Sequence, residues 1–264
     1  MNGELGQLIA IASGGSAWLA GPPGAHPPPL QTDSWTFQYV GELSFTLEHP
    51  DMATTEAGSL DEWLRALRSR GVERLWLTTS DAGPVVVGRA PVEERYLVAF
   101  AGAGSWSLLA TGRTNEVWRA SWTVGDPDAT EHRIWRVGYR GVALDGSVGP
   151  PKPSPVGAGL GLREALRGAL AFAESQGLGE WASVFEGAVA AGAEDDDLLS
   201  EHTSPQARAL AASAARAWVF GGLGSWNDIS FEGETQVRYE RVSEDLYRAV
   251  LEALVAATNA PLTT

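Results

Sequence analysis

Apolar residues recur along this chain with two different periods, and the change between them falls near residue 150. In the first half the period is close to two. Ser34–Leu47 (SWTFQYVGELSFTL) alternates apolar and polar residues and is rich in aromatic and β-branched types, which predicts a strand or a bent pair broken at Gly41. Val72–Thr79, Val85–Val87, Arg95–Ala101, Glu116–Val124 and His132–Tyr139 are read as further strands. The last two predict a hairpin turning at Gly125-Asp126-Pro127-Asp128. Trp118, Trp122 and Val124 share one face of that hairpin with Trp135, Val137 and Tyr139, while Arg119, Arg136 and Arg140 fall on the other.

One helix interrupts this β pattern. Ser59 with Glu62 three residues on forms a capping box, Leu60, Trp63, Leu64 and Leu67 share a helical face, and Gly71 supplies the stop. Upstream, a short apolar segment around Leu8–Ala12 ends at the Pro-rich Gly21–Pro29, through which neither helix nor central strand continues.

Beyond residue 150 the period becomes helical. Leu162, Ala165, Leu166, Ala169 and Leu170 predict one helix, and Trp181, Val184, Phe185 and Ala188 a second. Ser204 as N-cap and Pro205 at the first helical position start a third, running to about Val219. The last spans Ser243 to about Ala257. The expected class is therefore α+β: a mostly antiparallel β N-terminal half with one or two helices, then a mostly α-helical C-terminal half. The expected boundaries are residues 1–148 for the first part, a Pro-rich linker or loop at 149–156, and a helical region at 157–264.

Composition narrows the chemistry. The 264 residues contain no cysteine, which removes thiolate nucleophiles, disulfides, Fe–S clusters and Cys-type zinc sites together. The four histidines show no metal-ligand spacing, and neither a phosphate-binding loop nor a G-x-S-x-G elbow occurs, so no metal and no cofactor is expected. The formal charge is −14, with −6 on residues 1–148 and −8 on 149–264. Both halves repel a phosphate backbone, so nucleic acid is not an expected partner. The start lacks the basic stretch of a secretory signal, and its apolar run is too short to span a membrane, so a cytoplasmic protein without a membrane partner is expected. Lys152 is the only lysine and sits between prolines, a poor place for a Schiff-base nucleophile.

Three features carry candidate sites. In Gly221–Asp228 (GGLGSWND) three glycines permit positive φ, and Gly224, Trp226, Asn227 and Asp228 form either an exposed contact or a turn whose Trp plugs the core. The hairpin arginines Arg119, Arg136 and Arg140 either bind an anion or pair with nearby acids such as Glu116 or Glu131. Gly157-Ala158-Gly159-Leu160-Gly161 opens a helix, where N–H groups favour anions, but it follows no strand. With 11 Trp and a strong arginine bias, residue types enriched at binding hot spots, the expected function is a non-catalytic bacterial protein-interaction module of accessory, immunity or assembly type. The expected contact is an exposed Trp226 loop. The alternative is a metal-independent enzyme or a small-molecule or anion-binding domain with its site between the two halves, and homo-oligomerisation is open to either.

Overall fold

The computed structural model describes residues 1, 3–48, 55–79, 85–87, 90–100, 102, 104–144 and 154–263. In chain order its helices are α1 (Gly3–Ala20), α2 (Leu30–Asp33), α3 (Leu60–Arg70), α4 (Glu94–Leu97), α5 (Pro155–Ser175), α6 (Gly179–Ala190), α7 (Pro205–Arg216) and α8 (Gly233–Thr258). Its strands are β1 (Val40–Glu48), β2 (Thr55–Ala57), β3 (Val72–Thr79), β4 (Val85–Val87), β5 (Ala90–Val92), β6 (Trp106–Gly112), β7 (Glu116–Val124) and β8 (Trp135–Ala143). The class is α+β. The chain forms two compact units, a sheet unit of Gly3–Asp81 with Gly104–Lys152, and a helical unit of Met1–Asn2, Ala82–Ala103 and Pro153–Thr264. The segment around α4, read from sequence as part of the β half, thus belongs with the helices. The predicted linker lies largely outside the described residues, as does Lys152.

In the sheet unit six strands run in the order β2-β1-β8-β7-β6-β3. The predicted hairpin is present, with Val124 opposite Trp135 and Trp118 opposite Gly141. The sheet is mixed, however: β1 runs parallel to β8, while the other neighbours are antiparallel. The break expected at Gly41 is a bulge in that parallel ladder, where an added Cβ would lie 2.3 Å from the Arg133 carbonyl oxygen. Residues ahead of it, Trp35–Phe37, form a 3₁₀ turn rather than strand. Strand β6 went unread because its WSLLATG run lacks alternation. Most of it is buried on both faces, where period two gives no signal.

Helix α3 follows its sequence signals. Ser59 Oγ accepts from the Glu62 N–H at 3.2 Å, and Gly71 ends the helix at φ 82°. The Glu62 carboxylate reaches one residue further back than a standard capping box, accepting from Gly58 N–H at 2.9 Å. Its Trp63 stacks on Phe45 of β1 at 4.5 Å between centroids and meets Trp118 of β7 edge-on at 5.2 Å. Phe45 stacks in turn on Tyr139 at 4.9 Å, completing the aromatic core over the sheet.

Helix α1 is longer than the apolar segment predicted there, 18 residues. Gly14 and Gly15 lie inside this helix, where Leu30 and Leu75 fill the space a Cβ would take, at 2.9 Å and 2.8 Å. Ser16 fixes α1 to β3 by donating to the Leu75 carbonyl at 2.9 Å and accepting from its N–H at 3.0 Å. Among the described residues no helix is long and apolar enough to cross a membrane.

In the helical unit α5 packs on α6 and α8, and α7 packs on the same two, closing a four-helix ring. Helix α8 starts about ten residues earlier than its apolar stripe, at Gly233, because its first turns carry polar residues that pair rather than pack. Arg95–Ala101, expected as strand, instead begins in the one-turn helix α4. The Arg95 alternation that mimicked a strand reflects its own burial in a polar cluster, described below.

The sheet unit also buries a charge. Glu116 at the start of β7 has a side chain 2 % exposed and takes a bidentate Arg70 at 2.7 and 3.0 Å, with Trp118 Nε1 donating to it at 2.9 Å. Removing the guanidinium strands a buried carboxylate. Arg70→Met is expected to lower unfolding free energy by about 3 kcal/mol, read by urea denaturation, with Arg70→Met/Glu116→Gln recovering part of the loss. An unchanged midpoint in the single variant contradicts this role.

Candidate functional site

The Gly221–Asp228 loop takes the core-plug form. Trp226 is 0 % exposed, so the expectation of an exposed Trp226 contact is wrong. Its indole lies among Phe172, Trp181, Phe185 and Tyr239, with ring centroids between 5.2 Å and 6.2 Å away. Its Nε1 donates to Ser243 Oγ at 2.7 Å, and its carbonyl accepts from the Tyr239 hydroxyl. The flanking residues build the turn that delivers it. Gly224 takes φ 81°, and Asp228 accepts from the N–H groups of Gly224 and Ser225 at 2.5 and 3.0 Å. What the loop exposes is Leu223 at its tip, fully in solvent.

Asn227 joins a cluster that no sequence spacing announces. Arg95 of α4 is completely buried, and each of its nitrogens has a partner. Nε donates to Glu93 at 2.9 Å, Nη1 to Asn227 Oδ1 at 2.9 Å, and Nη2 to Tyr96 at 2.6 Å and to the Glu240 carboxylate. Asn227 Nδ2 returns a bond to the Arg95 carbonyl at 2.6 Å, and Glu244 stands 3.8 Å from Nε. All three guanidinium nitrogens are engaged by this chain, so the cluster holds α4 to α8 and to the Trp226 turn. It is a tie, not a receptor for an incoming anion. Nearby, burial pushes the Tyr239 phenol up to about 12, and raises Tyr247 further, with the charges of Glu94 and Glu244 adding to its shift.

The hairpin arginines are not brought to this cluster; they lie in the sheet unit. Arg136 pairs with Glu42 at 2.5 Å and Arg140 with Glu48 at 3.3 Å, all four side chains more than half exposed. The partners sit on the parallel neighbour β1, not at Glu116 or Glu131 as expected from chain proximity. The Arg136 bond holds the Glu42 carboxyl below its ordinary value. Arg119 is exposed opposite Arg140 on the same face. Exposed pairs of this kind contribute about 0–1 kcal/mol each.

Two residues of the acidic run at 194–197 are engaged internally. Asp195 accepts from Gly192 N–H at 2.9 Å, and Asp196, its side chain buried, accepts from Leu198 and Leu199 N–H groups and faces Arg208 at 3.4 Å. The glycine run at 157–161 lies inside α5, whose N-terminus is already capped by Ser154 Oγ accepting from Gly157 N–H at 3.3 Å.

A groove of about 430 Å³ remains along α5 and α8. Gly161, Ala165 and Gly168 of α5 line it at spacings of four and three, and Ala249 of α8 lies across from them. A Cβ added at Gly161 or Gly168 would meet nothing within 4 Å, so neither glycine is required by packing within this chain. Glu164, Asp245 and Glu252 bring carboxylates to the groove. Leu160, one turn before Glu164, is 59 % exposed, and Val156 one turn earlier is 77 % exposed. The i, i+4, i+7 pattern of small residues was visible in the sequence, but small residues in a helix carry no sign of what approaches them.

Comparison with protein-family models, with curated proteins and with solved structures finds no match to this chain.

Two outcomes follow from the burial of Trp226 and Tyr239. Trp226→Ala is expected to lower unfolding free energy by about 3–5 kcal/mol, so any loss of binding in that variant reports unfolding; a change below about 1 kcal/mol by denaturant titration contradicts the core position. Because the folded Tyr239 pKa of about 12 exceeds its ordinary value of 10.0, the unfolded chain loses this proton first as pH rises. The Tyr239 contribution to stability therefore falls between pH 10 and about 12, at up to about 1.4 kcal/mol per pH unit. Tyr239→Phe is expected to flatten that slope by one proton, measured as denaturation midpoints across the same range.

Proposed function

We propose that this chain is a non-catalytic bacterial protein of the cytoplasm that acts by binding another protein, as an accessory, immunity-type or assembly subunit. The α5–α8 groove is its contact. The observation that carries this reading is the pair of helix-interior glycines, Gly161 and Gly168, opening on empty space in a groove. Glycine inside a helix costs about 1 kcal/mol relative to alanine. In α1 the same cost is offset by Leu30 and Leu75 packing into the space; in α5 nothing from this unit does so. A backbone left bare in this way suits close approach by another molecule. The groove is open along the helix pair rather than enclosing, unlike a site that buries most of a small ligand. Exposed Val156, Leu160 and Leu223 supply apolar surface on the same unit. The contact thus moves from the Trp226 loop to a neighbouring helix face.

The test is photo-crosslinking in the native host with a benzophenone side chain at position 165, and at position 119 as control. One stoichiometric protein adduct at 165, absent at 119 and lost when Gly168→Leu fills the groove, is expected. No adduct at 165, or equal adducts at both positions, overturns the reading. Gly161→Ala and Gly168→Ala are further expected to raise stability of the isolated protein by about 0.5–1 kcal/mol each, by denaturant titration.

A further inference from the structure

We infer that the occupant of the α5–α8 groove is a basic, amphipathic α-helix of the partner, engaged over about two turns. This inference rests on the protein-binding reading above. Three observations define the occupant. The first is the register. Gly161 to Gly168 spans seven residues, about 10 Å or two turns of α5, and Ala165 between them keeps the floor low. Such a floor lets another helix axis approach to the short end of the 8–10 Å range for packed helices.

The second concerns backbone bonding. An extended peptide gains affinity by adding to a sheet edge with free N–H and C=O groups. The groove walls are the interiors of α5 and α8, whose main-chain groups are bonded within each helix. A helix, which satisfies its own backbone, suits walls that offer no main-chain partners.

The third is charge. Glu164, Asp245 and Glu252 face the groove, and none forms an ion pair among the described residues. The only base among the lining residues is Arg248, and Glu244 already takes it at 2.7 Å. Three free carboxylates around a small-residue floor complement lysines or arginines flanking an apolar stripe. They disfavour a second copy of this chain, which carries −14 and would set the same carboxylates against one another.

The experiment uses the full chain and a helical peptide of about 18 residues, long enough to hold its structure. The peptide carries an alanine and leucine stripe flanked by lysines, and a twin has glutamates in their place. Fluorescence anisotropy reads binding, and amide chemical shifts locate it. The basic peptide is expected to bind with shifts confined to α5 and α8, and to weaken as salt rises. Gly168→Leu is expected to weaken it about tenfold or more with the thermal midpoint maintained or raised. Glu164→Lys/Glu252→Lys, altering charge at exposed positions, is expected to reverse the preference toward the acidic twin. Equal binding of the twins, no saturable binding of the basic one, or binding untouched by Gly168→Leu overturns the inference. So does concentration-dependent self-association in ultracentrifugation that Gly168→Leu abolishes, which identifies the occupant as a second copy. If the peptide fails while the adduct at position 165 persists and remains sensitive to Gly168→Leu, the basic-helix inference falls and the protein-binding reading stands. If both fail, both fall.

Discussion

A polar group taken out of water costs free energy unless a partner inside the protein meets it, and each unit contains buried groups matched in this way, although the Trp63 indole N–H has no hydrogen-bond partner among the described residues. In the sheet unit the buried Glu116 exists only with Arg70 and Trp118 on its two oxygens. Tyr139 reaches the floor of the same core and donates to Gln7 Oε1 at 2.6 Å, which is why an α1 polar residue is fully buried. In the helical unit the indole N–H of Trp226 is matched by Ser243 and the Arg95 guanidinium by a ring of oxygens. Remove one partner and a donor or acceptor is left unmatched in a low-dielectric interior, where the cost exceeds the bond's own net contribution.

The same requirement separates structural charge from surface charge. Arg95 and Arg136 are both ion-paired, but Arg95 is sealed with all three nitrogens engaged, whereas Arg136 and Glu42 are mostly in water. Water screens the second pair and leaves it with little energetic weight. Of the hairpin arginines, Arg136 and Arg140 are matched by β1, while Arg119 stays exposed opposite Arg140; the carboxylates of Glu164, Asp245 and Glu252 line the α5–α8 groove. The proposed contact rests on what α5 leaves unfilled: open space beside Gly161 and Gly168, the Glu164 carboxylate between them, and exposed Val156 and Leu160 on the same helix.

Local chemistry was read directly wherever it acts over a few residues. Ser59, Gly71, Ser204 and Pro205 mark helix ends because their effects are exerted on neighbouring N–H and C=O groups. The period-two faces of β7 and β8 are equally local, and their pairing followed from one connecting turn. Gly14 and Gly15 are helical although glycine is a poor helix former, and Leu30 and Leu75, distant in sequence, pack where their Cβ atoms would be, a contribution that propensity does not contain. Among the candidate residues, Gly224 and Asp228 are turn-formers as their types imply, whereas the exposure of Trp226 was misjudged. A Trp beside glycines fits a surface loop or a core plug, and only the cage of Phe172, Trp181, Phe185 and Tyr239 distinguishes them.

By itself, then, the sequence determined the α+β class, the helix caps, the β7–β8 hairpin and the exclusion of thiol chemistry, all of which depend on composition or on neighbours along the chain. Tertiary structure decided the parallel pairing of β1 with β8, the capture of α4 by the helical unit, and the partners of Arg70, Arg95, Arg136 and Arg140. Asn227 and Arg95 lie 132 positions apart, and Arg70 and Glu116 lie 46 apart. No periodicity spans such distances. Long-range contacts form because collapse places groups together, and in these two the buried charge is met by oxygens or nitrogens from distant parts of the chain.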